Sequence, residues 1–285
     1  RALAPGSGCY AAWLTPQGRM LTDLHVFALD DMILLDVPAD VAPATLTRLD
    51  ECLFSEDVQL TDSSESLTPV WIHGPLASAS VQRVLPVSGL DALAEYGNVR
   101  IDAAGSPVVV VRVSQVGAPG FGLYAERARA VDLQRALEAA GAPAADPRAL
   151  DAARIEAGYP LFGVDMTEET IPLEAGIEDR AISFTKGCYV GQEVIIRVLH
   201  RGHGRVARRL VGLRIEGEVP GRGAAVHAGE REIGRVTSAA SSPRLGSIAL
   251  AYVQRDHVAP GTRVEVAVAG GRTPARVSDL PLALD

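Results

Sequence analysis

The sequence predicts an α+β fold that ends in a small β-barrel, and three patterns support this prediction. Within residues 8–37, short segments of alternating apolar and polar residues flank a Thr-Pro-Gln-Gly turn signal. Helical periodicity and buried apolar runs then alternate as far as about residue 200. Beyond that point, short β-rich segments recur with Gly and Pro between them, which is typical of a small barrel.

The elements before the barrel follow from local patterns. The opening segments predict strands joined by tight turns, which together form an antiparallel meander. Periodicity and Gly or Pro boundaries then predict a helix over 43–53, a strand over 70–75, a helical crossover over 76–96, a buried strand over 108–113, a glycine-rich loop over 117–122, helices over 128–140 and 147–158, an irregular acidic stretch over 159–182 and a helix over 192–201.

The barrel is predicted from five short strands. They cover residues 210–215, 232–238, 247–253, 263–268 and 273–277. We place the domain boundary near Gly204, which gives an α+β region of two subdomains over 1–204 and a barrel domain over 205–285. Because the chain begins with Arg1 and not with Met, we expect the first region to be incomplete at its N-terminus.

The composition is that of a globular protein and argues against several classes. The formal net charge of −8 disfavours broad nucleic-acid binding, because a negative field repels phosphates. The three cysteines, Cys9, Cys52 and Cys188, fit neither a disulfide framework nor a zinc spacing, so no metal site is predicted. With no apolar run of transmembrane length and no signal peptide, the sequence predicts a cytoplasmic protein.

The most unusual stretch is residues 186–193, Lys-Gly-Cys-Tyr-Val-Gly-Gln-Glu. Cys188 precedes a predicted helix, where unpaired N–H groups, the helix dipole and the Lys186 cation would stabilise a thiolate. Gly187 and Gly191 would allow another part of the backbone to approach closely. We predict a reactive thiol or a soft-metal ligand, and the alternative is a small buried residue in a tight turn.

Three further residues are candidates for ligand chemistry. Arg154, at the end of a predicted helix, could grip a ligand carboxylate or could instead satisfy helix carbonyls. Glu174, in the irregular stretch, could accept hydrogen bonds from a ligand amidine or could be a solvated acid. Asp23, which follows an apolar pair on a strand, could be a base or an anchor in a pocket, or could face outward.

Residues 186–193 resemble the motif of the YgfZ/Iba57/Caf17-type folate-binding proteins, within the GcvT-like aminomethyltransferase superfamily. The resemblance extends over most of the chain through stretches shared across that superfamily, namely residues 14–24, 154–158, 171–175, 234–243, 249–251 and 279–281. It implies a three-part body around a central folate cavity, with tetrahydrofolate or a folate derivative as the ligand. It also implies folate contacts from Arg154, Glu174, Lys186 and Gln192.

The resemblance implies two competing functions. The first is a folate-binding accessory protein that supports iron–sulfur cluster assembly or repair and, through it, tRNA modification, with Cys188 acting on a cluster or a partner. The alternative is a tetrahydrofolate-dependent aminomethyltransferase or demethylase with Asp23 as its acid–base group. A scaffold with a vestigial cavity is a third hypothesis. The expected partners are iron–sulfur proteins or their assembly factors, without direct nucleic-acid or membrane contact, and the protein is expected to be a monomer.

Two positions depart from the superfamily pattern. GcvT-like enzymes carry an acidic residue near the end of the glycine-rich loop, where it can hold the pterin, and here that position is Gly122. The departure weighs against standard pterin recognition, or it shifts the task to another acid such as Glu174. The aminomethyltransferases also lack a cysteine where this chain has Cys188, which weighs against glycine cleavage.

Overall fold

The computed structural model describes residues 3–200 and 205–282. By the density of their internal contacts, these residues divide into two compact units. Unit 1 comprises the described residues of Arg1–Ala11, Thr22–Ser114 and Ala118–Ala144, and unit 2 comprises those of Ala12–Leu21, Gln115–Gly117 and Ala145–Asp285.

Two antiparallel sheets form in the first half of the chain. The first has the order β1 (Gly8–Leu14), β2 (Met20–Ala28), β3 (Ile33–Asp36). The second has the order β4 (Leu67–His73), β7 (Gly120–Glu126), β6 (Pro107–Arg112), β5 (Asn98–Asp102). The accompanying helices are α1 (Ala42–Asp50), α2 (Ala77–Val84) and α3 (Arg127–Ala139).

The core of unit 1 covers both faces of the second sheet. Successive side chains of a strand point to opposite faces. Phe121 and Leu123 on β7 therefore share one face, where they pack with Leu133 of α3. Tyr124 lies on the other face and packs with Phe27 of β2. This second face carries the candidate site described below.

The sequence defines both ends of the helix α4 (Pro147–Ala157) in unit 2. The Asp146 carboxylate accepts a hydrogen bond from the Arg148 N–H at 2.8 Å, and a proline occupies the first helical position. Gly158 ends the helix with a φ of 73°, and its N–H donates to carbonyls of the last turn. Ile155 is fully buried and packs against strands of the barrel.

Three helices and a closed barrel complete unit 2. The helices are α5 (Pro172–Ala175), α6 (Glu178–Ala181) and α7 (Gln192–His200). The barrel has the strand order β10 (Arg231–Ser242), β11 (Gly246–Gln254), β8 (Arg208–Ile215), β13 (Gly271–Ser278), β12 (Arg263–Val268), β9 (Ala225–Ala228). Fully buried side chains such as Leu213, Val226 and Val266 fill its interior, as expected for a small barrel.

The structure confirms the predicted fold class, α+β with a C-terminal barrel. Some element predictions were wrong. The loop predicted over 117–122 gives way to β7 at Gly120, and the crossover predicted over 76–96 contains only α2 and a short 3₁₀ turn in its described residues. Strands β5 and β9 were not predicted. The predicted boundary at Gly204 and helix end at Arg201 lie outside the described residues.

Candidate functional site

A cluster of acidic and aromatic side chains surrounds Asp23 in unit 1. The Oδ2 atom of Asp23 accepts a hydrogen bond from the Tyr10 hydroxyl at 2.7 Å. The Tyr10 ring lies 5.3 Å from the ring of His25, which in turn lies 5.8 Å from the ring of Tyr96. Asp23 and His25 share a face because they are two residues apart on β2. The tyrosine orients the carboxylate, as a positioned acid–base group requires.

A second acid, Asp36, joins this cluster from β3. Asp36 pairs in register with His25, and the His25 Nδ1 lies 3.8 Å from the Asp36 Oδ2. The same oxygen accepts a hydrogen bond from the Tyr124 hydroxyl at 2.7 Å. Burial raises the pKa of the Asp36 carboxyl above its ordinary value, and the bond from Tyr124 opposes part of this rise. Burial and the neighbouring Asp36 charge raise the pKa of Tyr124, so the phenol stays a hydrogen-bond donor.

The indole of Trp71 occupies the space in front of Gly122. The two residues pair directly between β4 and β7. A Cβ atom at position 122 would lie 2.7 Å from the Trp71 ring, which is closer than Cβ atoms approach non-bonded atoms in proteins. Trp71 is stacked with His73 at an interplanar angle of 5° and meets Tyr124 edge to face. The glycines of the predicted loop therefore serve the close approach of aromatic rings, because Gly120 faces His73 in the same way.

Most members of this cluster were not predicted from the sequence. A period-two pattern of polar and aromatic residues, Asp23, His25 and Phe27, was present on one strand and could have marked the face. Asp36 lies on the next strand of the predicted meander, but no local signal connects it with Tyr124, because that contact joins residues 88 positions apart.

Arg154 lies in a buried polar network of unit 2. Its guanidinium donates to Asp165 at 2.9 Å, to the exposed acid Asp151 at 2.6 Å and to the Ser238 hydroxyl at 2.8 Å. It also donates to the Tyr159 carbonyl at 3.3 Å. The side chain is only 7% exposed, and these protein acceptors give it a structural role. Its predicted contact with folate stays a prediction.

The other predicted ligand acid, Glu174, is also engaged within unit 2. It lies on α5, is buried, and accepts a hydrogen bond from the Arg208 Nε at 3.0 Å. The Arg208 guanidinium lies 4.7 Å from the centre of the Tyr252 ring. The alternative of a solvated acid was therefore wrong. The structure gives Glu174 a protein partner, and the expectation that it takes over the task of an acid at Gly122 remains untested.

Cys188 is exposed, in a segment without regular secondary structure that precedes α7. The alternative of a small buried residue was therefore wrong. The Lys186 Nζ lies 5.0 Å from the centre of the Tyr189 ring, and the Gln192 Oε1 accepts a hydrogen bond from the Tyr189 N–H at 3.2 Å. Cys188 lies four residues before the first residue of α7, outside the turn where a helix dipole acts most strongly. Folate contacts of Lys186 and Gln192 stay predictions.

The predicted close approach is confirmed at Gly191 but not at Gly187. Gly191 has a φ of 86°, and a Cβ there would lie 2.5 Å from the Thr15 carbonyl oxygen. The turn between β1 and β2 thus packs directly against the start of α7, since a Cβ at Gly18 would lie 2.9 Å from the Val194 Cβ. Around Gly187, no described atom lies within 4 Å of the added Cβ.

A cavity of about 820 Å³ also opens within unit 2. Arg180, Arg209 and Arg244 contribute to its wall. Arg209 is 3.7 Å from Glu178 and Arg244 is paired with Glu156, so acids compensate much of the positive charge. The cavity therefore has the composition of a mixed-charge cleft and offers no concentrated anion site.

Neither a metal-binding cluster nor a membrane-spanning helix is found in the part of the chain that the structure describes. Over residues 3–200 and 205–282, no group of three His, Cys, Asp or Glu side chains could hold a metal ion. None of the helices in these ranges combines the length and apolar character needed to cross a membrane.

Comparisons with known proteins match this architecture over nearly the whole chain. The GCVT N-terminal domain model matches residues 1–186, and the glycine cleavage T-protein C-terminal barrel domain model matches residues 208–283. The chain is 35% identical to an aminomethyltransferase of Streptomyces coelicolor, over 97% of this chain and 76% of that protein. It is 33% identical to an aminomethyltransferase of Thermus thermophilus, over 98% of this chain and 77% of the relative.

A solved structure has the same fold. The glycine cleavage system aminomethyltransferase T from Bartonella henselae superposes with a TM-score of 0.83 at 24% sequence identity. The match covers 99% of this chain and 77% of that one.

Proposed function

This chain belongs to the glycine cleavage T-protein family, and from this premise we propose that it binds tetrahydrofolate and acts as a folate-dependent aminomethyltransferase. The relatives are aminomethyltransferases, which supports the reaction class. The single observation that carries the proposal for this chain is the Asp23 carboxylate, held by Tyr10 in a cluster of aromatic rings.

The donor set of the unit 1 cluster fits a reduced pterin. A pterin offers flat faces that pack on aromatic rings and N–H groups that carboxylates accept. Trp71, Tyr96 and Tyr124 supply rings, and Asp23 and Asp36 supply carboxylates. When bound, tetrahydrofolate supplies the nitrogen atoms that accept a one-carbon unit. Position 122 is the one that does not fit the superfamily pattern, because the Trp71 ring fills the space of a side chain there.

The chain's own residues support a specific division of roles. The half-buried Asp23 holds and moves a proton, since a carboxylate within hydrogen-bond reach of the substrate is the simplest acid–base group available. Tyr10 is a positioning residue, because it acts through its 2.7 Å bond to Asp23. Catalysis of this kind comes mostly from the fixed placement of the reactants.

The test separates binding from turnover. Calorimetry should detect 5-formyltetrahydrofolate binding in the wild type and in Asp23→Asn, while methylene-tetrahydrofolate formation from aminomethyl donors should fall at least roughly a hundredfold in the variant. Asp30→Asn is the matched control, since Asp30 is an exposed acid in the turn that follows β2. A wild type that shows no binding at millimolar ligand would refute the proposal and favour a scaffold.

A second candidate function is favoured by the exposed Cys188. A YgfZ-type accessory role in iron–sulfur cluster assembly or repair would need a thiol that a partner can reach, and Cys188 is exposed in its unusual octapeptide. In cells that lack the protein, Cys188→Ala should then fail to restore iron–sulfur enzyme activities. Cys52→Ala is the matched control because Cys52 is also exposed. Full rescue by Cys188→Ala, together with loss in Asp23→Asn, would leave only the transferase.

A further inference from the structure

Trp71 and Gly122 pair on the neighbouring strands β4 and β7, and the large indole fills the space that the glycine leaves open. The ring atoms Cζ3 and Cη2 of Trp71 lie 2.7 and 2.8 Å from the position of a Cβ at 122, and the Val111 side chain closes a third side at 3.0 Å. No residue larger than glycine fits at 122 while the indole keeps this position. Conversely, the indole can lie there only because position 122 has no side chain.

The indole also stands where it can meet a ligand of the unit 1 cluster. Trp71 and His73 are half-buried, and the side chain of Asp36 is 29% exposed. Trp71 contacts Tyr124, whose hydroxyl is bonded to Asp36. A chain of contacts therefore connects the indole with the acids of the same cluster.

We infer that Trp71 is a specificity-determining residue of this site, because its indole recognises the face of a pterin ring by stacking. The indole takes the place of a longer side chain at position 122, which would contact the ring edge through a polar group. This inference rests on the proposed folate function. Stacking requires only a flat ring, whereas hydrogen bonds to a ring edge depend on the substituents at that edge. The contribution of Trp71 to binding should therefore depend little on the edge groups of the pteridine.

The first test uses the two tryptophans of the chain, Trp13 and Trp71. In a Trp13→Phe background, Trp71 is the only tryptophan, and 5-formyltetrahydrofolate should quench its fluorescence along the same isotherm as the calorimetric heat. Trp71→Ala should weaken binding at least fivefold, the low end of what stacking on one aromatic ring contributes. Trp71→Phe should weaken it less. Binding heat with unchanged Trp71 emission and an unaffected Trp71→Ala variant would overturn the inference and leave the proposed function standing. No heat at millimolar ligand would overturn both.

The second test moves the large side chain from position 71 to position 122. Affinities are measured for pterin-6-carboxylate and lumazine-6-carboxylate, which differ at the 2-position of the ring. Trp71→Ala should leave the wild-type ratio of the two affinities unchanged within about threefold, because stacking on the ring face does not depend on the 2-substituent. The double variant Trp71→Ala, Gly122→Glu should raise this ratio at least tenfold, because a carboxylate accepts from the 2-amino group and repels the 2-oxo group.

Gly122→Glu alone is the control for the swap. It should weaken binding of both ligands, since Trp71 still fills the space, and the added Trp71→Ala should restore binding of the pterin but not of the lumazine. This non-additivity is what a direct contact between the two positions produces. A double variant that binds both ligands with the wild-type ratio would overturn the inference.

Discussion

The substitution Asp165→Asn should destabilise unit 2 far more than the same change at Asp151, although both acids pair with Arg154. The Arg154–Asp165 distance is 2.9 Å and the Arg154–Asp151 distance is 2.6 Å, so distance alone would rank Asp151 as the stronger partner. Burial reverses this order, because the Asp165 side chain has no exposed surface and that of Asp151 is 45% exposed.

The magnitude follows from what the amide leaves behind. Breaking a buried ion pair costs about 3–5 kcal/mol, because the remaining charge stays buried without compensation. Asp165 also accepts hydrogen bonds from the Thr237 and Ser238 hydroxyls and from the Leu161 N–H, which places the expected cost in the upper part of that range. Asp151 is half-exposed, so solvent screens its pair with Arg154, and the expected contribution is about 1 kcal/mol. For a unit of this size, the melting temperature should fall by roughly 6–20 °C in Asp165→Asn and by no more than about 4 °C in Asp151→Asn.

The assay can report unit 2 separately. Trp13 belongs to unit 2 and Trp71 to unit 1, so a Trp71→Phe background leaves Trp13 as the only tryptophan. Urea unfolding followed by Trp13 fluorescence gives the free energy of unfolding, and an unchanged m-value excludes a change in denatured-state compactness. Equal losses in the two variants would show that burial does not decide the strength of these pairs.

Three further substitutions or treatments test other parts of the structure. Gly191→Ala should cost at least about 2 kcal/mol in urea unfolding, from its positive φ and the approach of the Thr15 carbonyl, while Gly187→Ala should be nearly neutral; equal midpoints would contradict this. Asp36→Asn should become more stable relative to wild type as pH rises from about 3.5 to 7. Because burial raises the pKa of Asp36 in the folded state, the stabilisation from this carboxyl is complete below its unfolded-state pKa of 3.8 and is lost as pH rises through its folded-state pKa. The amide of the variant does not titrate, so a stability difference between variant and wild type that does not change with pH would contradict this. Native-state alkylation with iodoacetamide should modify Cys188 as completely as Cys52 by peptide mass mapping, because both are exposed, and protection of Cys188 would show that it is covered.

The role of Arg154 affects how folate binding can be tested. Arg154→Ala removes the partner of the buried Asp165, so it should destabilise unit 2 about as strongly as Asp165→Asn. A loss of folate binding in Arg154→Ala would then report unfolding and not a lost ligand contact. Substitutions at Asp23 and Trp71 are better probes, because neither residue belongs to this network.

Local patterns predicted the fold class and most elements, and the failures have physical causes. The helix over 147–158 was predicted well because Asp146, Pro147 and Gly158 define its ends within the chain itself. Strand β5 was missed because it is short and carries polar residues at alternate positions, and β9 was missed because it has only four residues. β7 was partly missed because its glycines resemble a loop until Trp71 and His73 are seen to occupy the space beside them.

The site was harder to predict than the fold. Asp23 was found from its local motif, but its partner Tyr10 lies on another strand, and the bond between Asp36 and Tyr124 joins residues 88 positions apart. Arg154 shows a different limit. An arginine at the end of a helix near a loop can bind a ligand or pair with a buried acid, and the sequence does not distinguish these two roles. The burial of Asp165 in the structure does.

The two candidate functions depend on different chemistry in different units. Asp23 lies in unit 1 among aromatic rings and offers proton transfer, while Cys188 lies in unit 2 in an exposed segment and offers a nucleophile or ligand to a partner. Gly191 explains why part of the octapeptide could be retained for packing alone, since the turn after β1 lies directly against it. Cys188, by contrast, is exposed, so burial does not account for it. A structural explanation of the octapeptide is therefore incomplete at its cysteine, and this is the physical reason to test the accessory role beside the transferase.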